Sequence, residues 1–137
     1  MKVYRIEFTV EWGDCDPAGI VFHPNFYSWI DAAVRHMFEE AGLDKPTMVH
    51  KHGWKGVPVV ENGARFLRPA TFGERIVVES SVVDWQPKRF RLEHRIVRGE
   101  DLLVEAWSVR AIGVPHPENP RRMVSLEIPD WVKALFD

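Results

Sequence analysis

A single long segment repeats apolar residues at helical spacing, and it constrains the fold more than any other feature. Between Pro24 and Gly42 the apolar side chains recur every three or four positions, at Phe26, Trp29, Ile30, Ala33, Val34, Met37, Phe38 and Ala41. This period predicts an amphipathic helix that Pro24 begins and Gly42 ends. Because the apolar stripe is bulky, we expect a sheet to wrap one side of the helix.

The segments around this helix are typical of β-strands. Residues 4–12 alternate strictly between apolar and polar side chains, which predicts a half-buried strand. Further strands are predicted at residues 57–67, 75–85, 88–98 and 102–114, and a short closing helix near residues 130–136. Residues 43–56 are predicted to be irregular. One long helix followed by a run of antiparallel strands indicates an α+β architecture.

Length and composition limit the classes of protein that the chain can belong to. Its 137 residues predict one domain, and a net charge of −2 argues against a dedicated nucleic-acid or membrane-surface binder. No apolar run is long enough to span a membrane. Cys15 is the single cysteine, so an internal disulfide is excluded and a reducing cytoplasm is the expected location.

The loop between the first strand and the helix concentrates the unusual residues. Asp14 and Asp16 lie two positions apart, and His23 stands at the helix entrance. An aspartate before proline is most often a turn or cap residue. The alternative is a carboxylate presented beside free backbone N–H groups at a helix start, where a developing oxyanion can be held. Spacing alone does not decide between them.

The composition of this loop resembles the signature of a known protein family. Residues 13–21 read Gly-Asp-Cys-Asp-Pro-Ala-Gly-Ile-Val, and the pattern continues through Pro24-Asn25 to Trp29-Ile30-Asp31-Ala32-Ala33. This stretch resembles the signature of the 4-hydroxybenzoyl-CoA thioesterase family. The resemblance implies a hot-dog fold, in which a curved antiparallel sheet wraps a long central helix. It also implies a hydrolase of acyl-CoA thioesters that needs no metal or organic cofactor.

The resemblance assigns the catalytic roles by position. Asp16 matches the family's catalytic aspartate, which attacks the thioester directly or acts as a base on water. The backbone N–H at His23 matches the group that polarises the thioester carbonyl. Gly19 matches a glycine where the substrate approaches the backbone closely. The His23 imidazole itself either takes part in the chemistry or caps the helix ahead of Pro24.

Further residues are expected to bind the substrate. Asp31 matches an acid that lines the acyl pocket and contacts a polar ring substituent. A position on a solvated helix face explains an aspartate here equally well. Tyr27 adds aromatic lining or belongs to the core. Lys88 and Arg89 match the contacts to the CoA phosphates, against the alternative of a solvated strand face. The family assembles edge to edge, so we expect a homodimer or homotetramer in which Val59 lies near the acyl pocket of the partner.

Other reactive side chains have plainer explanations. Cys15 is an alternative nucleophile, but its two acidic neighbours disfavour a thiolate, so a structural thiol is expected. His50 and His52 have no carboxylate or cysteine at ligand spacing and are expected on the surface. His94 alternates with apolar residues and is predicted to be a hydrogen-bonded core histidine.

The sequence therefore favours hydrolysis of an aromatic acyl-CoA, of the benzoyl or 4-hydroxybenzoyl type. His23 keeps an alternative open, because a histidine stands at this position in the branch similar to short-chain acyl-CoA thioesterases of the Tol–Pal operon. That alternative is the same chemistry on a short or medium aliphatic acyl-CoA, or on an acyl carrier protein. A non-catalytic acyl-CoA-binding module is a third hypothesis, and a hot-dog dehydratase is a weaker one.

Overall fold

The structure, a computed structural model, describes residues 1–137. The elements are β1 (Tyr4–Thr9), α1 (Pro24–Glu40), β2 (Val59–Phe66), β3 (Arg75–Trp85), β4 (Phe90–Arg98), β5 (Asp101–Arg110), β6 (Gly113–Pro115), β7 (Met123–Ser125) and α2 (Asp130–Leu135). Five antiparallel strands form one sheet in the order β1-β3-β4-β5-β2, so β1 and β2 are its two edges. Strands β6 and β7 pair with each other in a separate two-stranded sheet. No helix is both long enough and apolar enough to cross a bilayer.

Helix α1 packs its apolar stripe against the sheet. Its buried side chains are Phe26, Ile30, Ala33, Val34, Met37 and Phe38. Pro24 occupies the first turn, where a missing N–H leaves no hydrogen bond unmade. Gly42 ends the helix at a φ of +87°, a left-handed conformation that glycine adopts without a steric cost. The predicted helix and the predicted hot-dog fold are confirmed.

A row of buried polar residues divides the core in two. One apolar cluster contains Phe38, Phe90 and Leu92, and the other contains Phe26, Ile76 and Ile96. At the boundary the inward positions of β3, β4 and β5 carry Ser80, His94, Ser108 and Arg110, all of them buried. We call these four residues the polar belt.

Several of the predicted strand ends were wrong. β1 stops at Thr9 because Val10 instead pairs with Glu74 and Gly73, and the chain then turns through a short 3-10 helix, leaving Trp12 exposed. The predicted strand 102–114 breaks after Arg110, where Ala111 donates to the carbonyl of Pro58. β4 begins at Phe90 because the two preceding residues belong to the turn from β3.

The segment predicted to be irregular is partly helical. Residues Thr47–Lys51 form one turn of π-helix, and Met48 in this turn is buried in the core. The predicted strand at residues 57–67 is shorter at both ends, as β2 covers only Val59–Phe66. These differences leave the order and the direction of the main elements as predicted.

Candidate active site

The loop between β1 and α1 is folded as a tight hairpin. Cys15 and Val21 form an antiparallel bridge, and the N–H of Asp16 donates to the carbonyl of Ile20 at 2.9 Å. At the tip the N–H of Gly19 donates to the carbonyl of Asp16, also at 2.9 Å. The backbone on both sides of Asp16 is therefore held by hydrogen bonds.

The two aspartates of this loop make different contacts. The Asp14 carboxylate accepts from the N–H of Glu11 at 2.8 Å through Oδ2, and the Asp14 backbone carbonyl accepts from the Asn25 side chain at 2.8 Å. Asp16 is half-buried, and its Oδ1 accepts from the N–H of Ala18 at 2.9 Å. Its Oδ2 has no hydrogen-bond partner within the chain, and no cation pairs with it. One oxygen of Asp16 thus serves the turn, and the other is free to react.

Gly19 stands beside this carboxylate with a φ of +82°. Glycine adopts this left-handed conformation readily, whereas other residues are strained in it. The position where a Cβ would stand is open, with no atom within 4 Å. This open space is compatible with the close approach of substrate that the resemblance implies at Gly19, which stays a prediction.

His23 presents an unused backbone donor at the start of α1. His23 occupies the N-cap position, but its side chain makes no capping hydrogen bond. The ring instead lies edge-on to Phe22 and Phe66, with centroids 5.6 Å and 5.9 Å away. The His23 N–H has no acceptor within the chain. Because the positive end of the helix dipole lies here, this N–H is suited to hold an anionic oxygen.

A cavity of about 370 Å³ lies between α1 and the strands β2 and β5. Its lining includes three predicted residues, Tyr27, Asp31 and Val59, together with Trp107 and Arg110. The structure thus brings together most of the residues expected to bind the acyl group. Val59 lines the cavity of its own protomer, and its expected place near the acyl pocket of a partner stays a prediction. The ring of Tyr27 also contacts the same Phe66 that the His23 ring contacts.

Arg110 is a residue of this cavity that the sequence analysis missed. Its side chain is only 4% exposed, and its Nη1 pairs with Asp31 Oδ1 at 2.9 Å, although 70% of the Asp31 side chain is exposed. Nη1 also donates to the carbonyl of Val57 at 3.2 Å, and Nε donates to Ser108 Oγ at 3.4 Å. A signal was available: arginine follows alanine and serine at the inward positions of β5, where a small or apolar residue is expected.

The polar belt connects Arg110 to the interior of the sheet. The two ring nitrogens of His94 lie 2.7 Å from Ser80 Oγ and 2.9 Å from Ser108 Oγ, so the predicted core histidine is confirmed. Burial, reinforced by the positive charge of Arg110, lowers the pKa of His94 from 6.5 to about 3. His94 is therefore neutral at physiological pH, and one ring nitrogen donates while the other accepts.

Lys88 and Arg89 lie on the exposed turn between β3 and β4. Three other basic residues of this region are already engaged: Arg91 lies over the Trp107 ring, and Arg95 and Arg98 pair with carboxylates. Lys88 and Arg89 form no ion pair, so they are available to an anionic ligand. This availability is compatible with the predicted contact to CoA phosphates.

Within one protomer, this basic turn lies far from Asp16. The Asp16 loop sits beside the start of β3, since the N–H of Val21 donates to the carbonyl of Ala70 at 2.9 Å. The basic turn follows the other end of the same strand, Arg75–Trp85. At about 3.3 Å per residue, the two ends of β3 are about 30 Å apart.

The remaining reactive residues are not assembled into a second site. Cys15 is half-buried, and its Sγ lies 3.8 Å from the Glu11 carbonyl. The His52 ring packs against the rings of Trp54 and Trp131, with centroids 4.8 Å and 5.1 Å away. No group of three His, Cys, Asp or Glu side chains is arranged to hold a metal ion.

Comparison with known proteins identifies the family. The sequence profile of the thioesterase-like superfamily matches residues 10–136. The 4-hydroxybenzoyl-CoA thioesterase of Pseudomonas sp. strain CBS-3 is 35% identical over 132 residues, covering 90% of this chain and 91% of that protein.

Solved structures give the same result. A mutant 4-hydroxybenzoyl-CoA thioesterase, with asparagine in place of an aspartate, has been crystallised with 4-hydroxybenzoyl-CoA. It superposes with a TM-score of 0.90 at 29% identity, covering 100% of both chains. A gentisyl-coenzyme A thioesterase superposes with a TM-score of 0.78 at 31% identity, covering 98% of both chains.

Proposed function

The chain belongs to the thioesterase-like superfamily and is an acyl-CoA thioesterase, and we propose that its substrate is an aromatic acyl-CoA of the benzoyl or 4-hydroxybenzoyl type. The observation that carries this proposal is the cavity beside α1. It is walled by the rings of Tyr27 and Trp107 and closed by the ion pair between Asp31 and Arg110. Aromatic walls suit a ring, and the polar closure suits a ring hydroxyl. The two thioesterases with solved structures described above are named for hydroxylated aromatic acyl groups.

Asp16 is the proposed catalytic carboxylate. Its free Oδ2 attacks the thioester carbonyl carbon, the C–S bond breaks, and CoA leaves as the thiolate, which takes a proton from solvent. Water then hydrolyses the resulting anhydride and restores the carboxylate. In the alternative, the same oxygen removes a proton from water as the water oxygen bonds to the carbonyl carbon, after which the C–S bond breaks and the CoA thiolate takes up the proton. The hydrogen bond from Ala18 to Oδ1 supports both by fixing the carboxylate plane.

The backbone N–H of His23 is the proposed oxyanion donor. It has no partner within the chain and stands at the positive end of the α1 dipole. A donor of this kind lowers the barrier by about 3 kcal/mol when it binds the oxygen more strongly in the transition state than in the substrate. Gly19 leaves the approach to it open.

We further propose that the site is completed in a homodimer, with a homotetramer built from two such dimers. Strand β2 is an unpaired edge, and the apolar side chains of Val59, Val60, Phe66 and Leu67 are exposed on or beside it. A two-fold axis that pairs β2 with its copy reverses the strand direction. It therefore carries Lys88 and Arg89 of one protomer toward the Asp16 end of the other.

Within one protomer the basic turn and the Asp16 loop lie about 30 Å apart, at opposite ends of β3. In the proposed dimer the basic turn of the partner binds the CoA instead. The acyl group lies in the α1 cavity with its thioester near Asp16, and the CoA phosphates reach Lys88 and Arg89 of the partner. The long cationic side chains bind phosphate while remaining solvated. The single free thiol, Cys15, is compatible with the proposed cytoplasmic location.

The identity of the acyl group is tested by thiol release from benzoyl-CoA, 4-hydroxybenzoyl-CoA, hexanoyl-CoA and acetyl-CoA, compared by kcat/KM. We expect the aromatic esters to be preferred, and 4-hydroxybenzoyl-CoA over benzoyl-CoA. Preference for the aliphatic esters would contradict the aromatic assignment and support the alternative that His23 suggests, a short or medium aliphatic acyl-CoA. An acyl carrier protein thioester is the substrate to examine if no CoA ester reacts.

A further inference from the structure

A second cavity continues along α1 from the first. Its volume is about 240 Å³, and its lining includes the apolar side chains of Val34, Phe38, Leu43, Met48 and Val57, together with the charged residues Arg35, Glu39 and Lys45. The first cavity follows α1 residues 27–31 and the second follows residues 31–39. At about 1.5 Å per residue, the two together run along about 18 Å of the helix.

The two cavities have only two lining residues in common, Asp31 and Arg110. These two residues are ion-paired at 2.9 Å. The pair therefore crosses the groove at the point where one cavity ends and the next begins. An acyl group entering from the Asp16 side meets this pair before it can reach the apolar lining beyond it.

The position of the pair is set from inside the sheet. The Arg110 guanidinium is held by the carbonyl of Val57 and by Ser108 Oγ, and Ser108 is in turn bonded to His94. Because the Asp31 side chain is largely exposed, its ion pair with this guanidinium is the contact that fixes its position. Displacing the pair would leave a buried charge without its partner, which is strongly unfavourable.

We propose that Asp31 and Arg110 form a wall that sets the maximum length of the acyl group. The inference rests on the proposed function, because it takes the first cavity as the acyl pocket. A single ring ends at the wall and can hydrogen-bond to it. A longer aliphatic chain has to displace the ion pair to gain the apolar surface beyond it, so the wild-type enzyme excludes such chains.

The test is the chain-length dependence of kcat/KM for hexanoyl-, octanoyl- and decanoyl-CoA in three proteins. Asp31→Ala removes the carboxylate from the groove and joins the cavities. Asp31→Asn is the matched control, because the amide fills the same volume. For Asp31→Ala we expect kcat/KM to rise with length, approaching about fourfold per added methylene, as burial of each CH₂ in an apolar site allows. Wild type and Asp31→Asn are expected to show no rise.

The outcomes separate this inference from the proposed function. If wild type hydrolyses 4-hydroxybenzoyl-CoA but Asp31→Ala gains nothing on long chains, the wall is refuted and the proposed function stands. An equal rise of kcat/KM with chain length in Asp31→Asn would also refute the wall, because loss of the Asp31 charge, and not of its volume, would then admit the longer chains. If wild type hydrolyses no aromatic ester, the proposed function itself fails. Should Asp31→Ala not fold, Asp31→Ser provides the same test, because serine shortens the wall but leaves an acceptor for Arg110.

Discussion

His94 makes the stability of this protein depend on pH in a calculable way. Its pKa is lowered from 6.5 to about 3, first by burial and then by the positive charge of Arg110. In the unfolded chain the imidazole regains its ordinary pKa. Between pH 6.5 and pH 3 the unfolded chain therefore binds a proton here that the folded chain does not. The contribution of neutral His94 to the free energy of unfolding is therefore fully present above pH 6.5 and is lost as the pH falls from 6.5 toward 3.

The size of the loss follows from the two pKa values. Lowering the pH from 7 to 5 favours protonation of the unfolded imidazole by about 2 kcal/mol, while the folded imidazole stays neutral. His94→Gln removes the titrating group but keeps a side chain that can donate and accept within the polar belt. We expect this variant to be less stable at pH 7 by about 1–3 kcal/mol, since Ser80 and Ser108 lose well-placed partners.

The assay is urea denaturation of both proteins at pH 7 and pH 5, at one fixed protein concentration. All other titrating groups are common to the two proteins, so the difference between their pH effects isolates His94. Wild type should lose about 2 kcal/mol more than His94→Gln over this interval. Equal losses in the two proteins would refute the assignment of His94 as a neutral, buried member of the belt.

Two further predictions concern the assembly and the CoA site. Replacing Lys88 and Arg89 together by alanine should raise KM for the CoA ester by about tenfold at low salt with little change in kcat, because each exposed charge pair contributes up to about 1 kcal/mol. The matched control Arg121→Ala, another exposed basic residue, should leave KM unchanged, and an equal effect there would point to general charge attraction. Val60→Lys places a charge on the exposed β2 edge and should yield a monomer by light scattering, with thiol release lost. An active monomer would contradict the shared site.

The main elements were predictable because their patterns are local. Helix α1 was recognised from its own apolar period, and the burial of alternate residues in β4 follows from the strand period of two. The strand ends were not predictable in the same way. β1 ends where Val10 pairs with Glu74, and β5 ends where Ala111 bonds to Pro58, and both partners are distant in sequence.

The candidate site could be proposed from the sequence where a motif indicated it. The loop from Gly13 to His23 was identified from its composition, and the structure gives its hydrogen bonds. Arg110 was missed because its significance comes from Asp31, which lies 79 positions away. The separation of Lys88 from Asp16 was also invisible in the sequence, since it depends on which ends of the sheet the loops occupy.

The role of Asp16 is the central claim, and one comparison tests it most directly. Asp16→Asn and Asp14→Asn change two nearby carboxylates of the same loop, and each carboxylate accepts one backbone N–H, Asp14 from Glu11 and Asp16 from Ala18. Only Asp16 is the proposed catalytic group, and an amide at position 14 can still accept from Glu11. The measurement is thiol release from 4-hydroxybenzoyl-CoA by each variant, together with calorimetric binding of the same ester. We predict that Asp16→Asn binds the ester but loses activity by about a hundredfold to ten-thousandfold, while Asp14→Asn stays within a few fold of wild type. Comparable activity in Asp16→Asn and wild type would contradict the account.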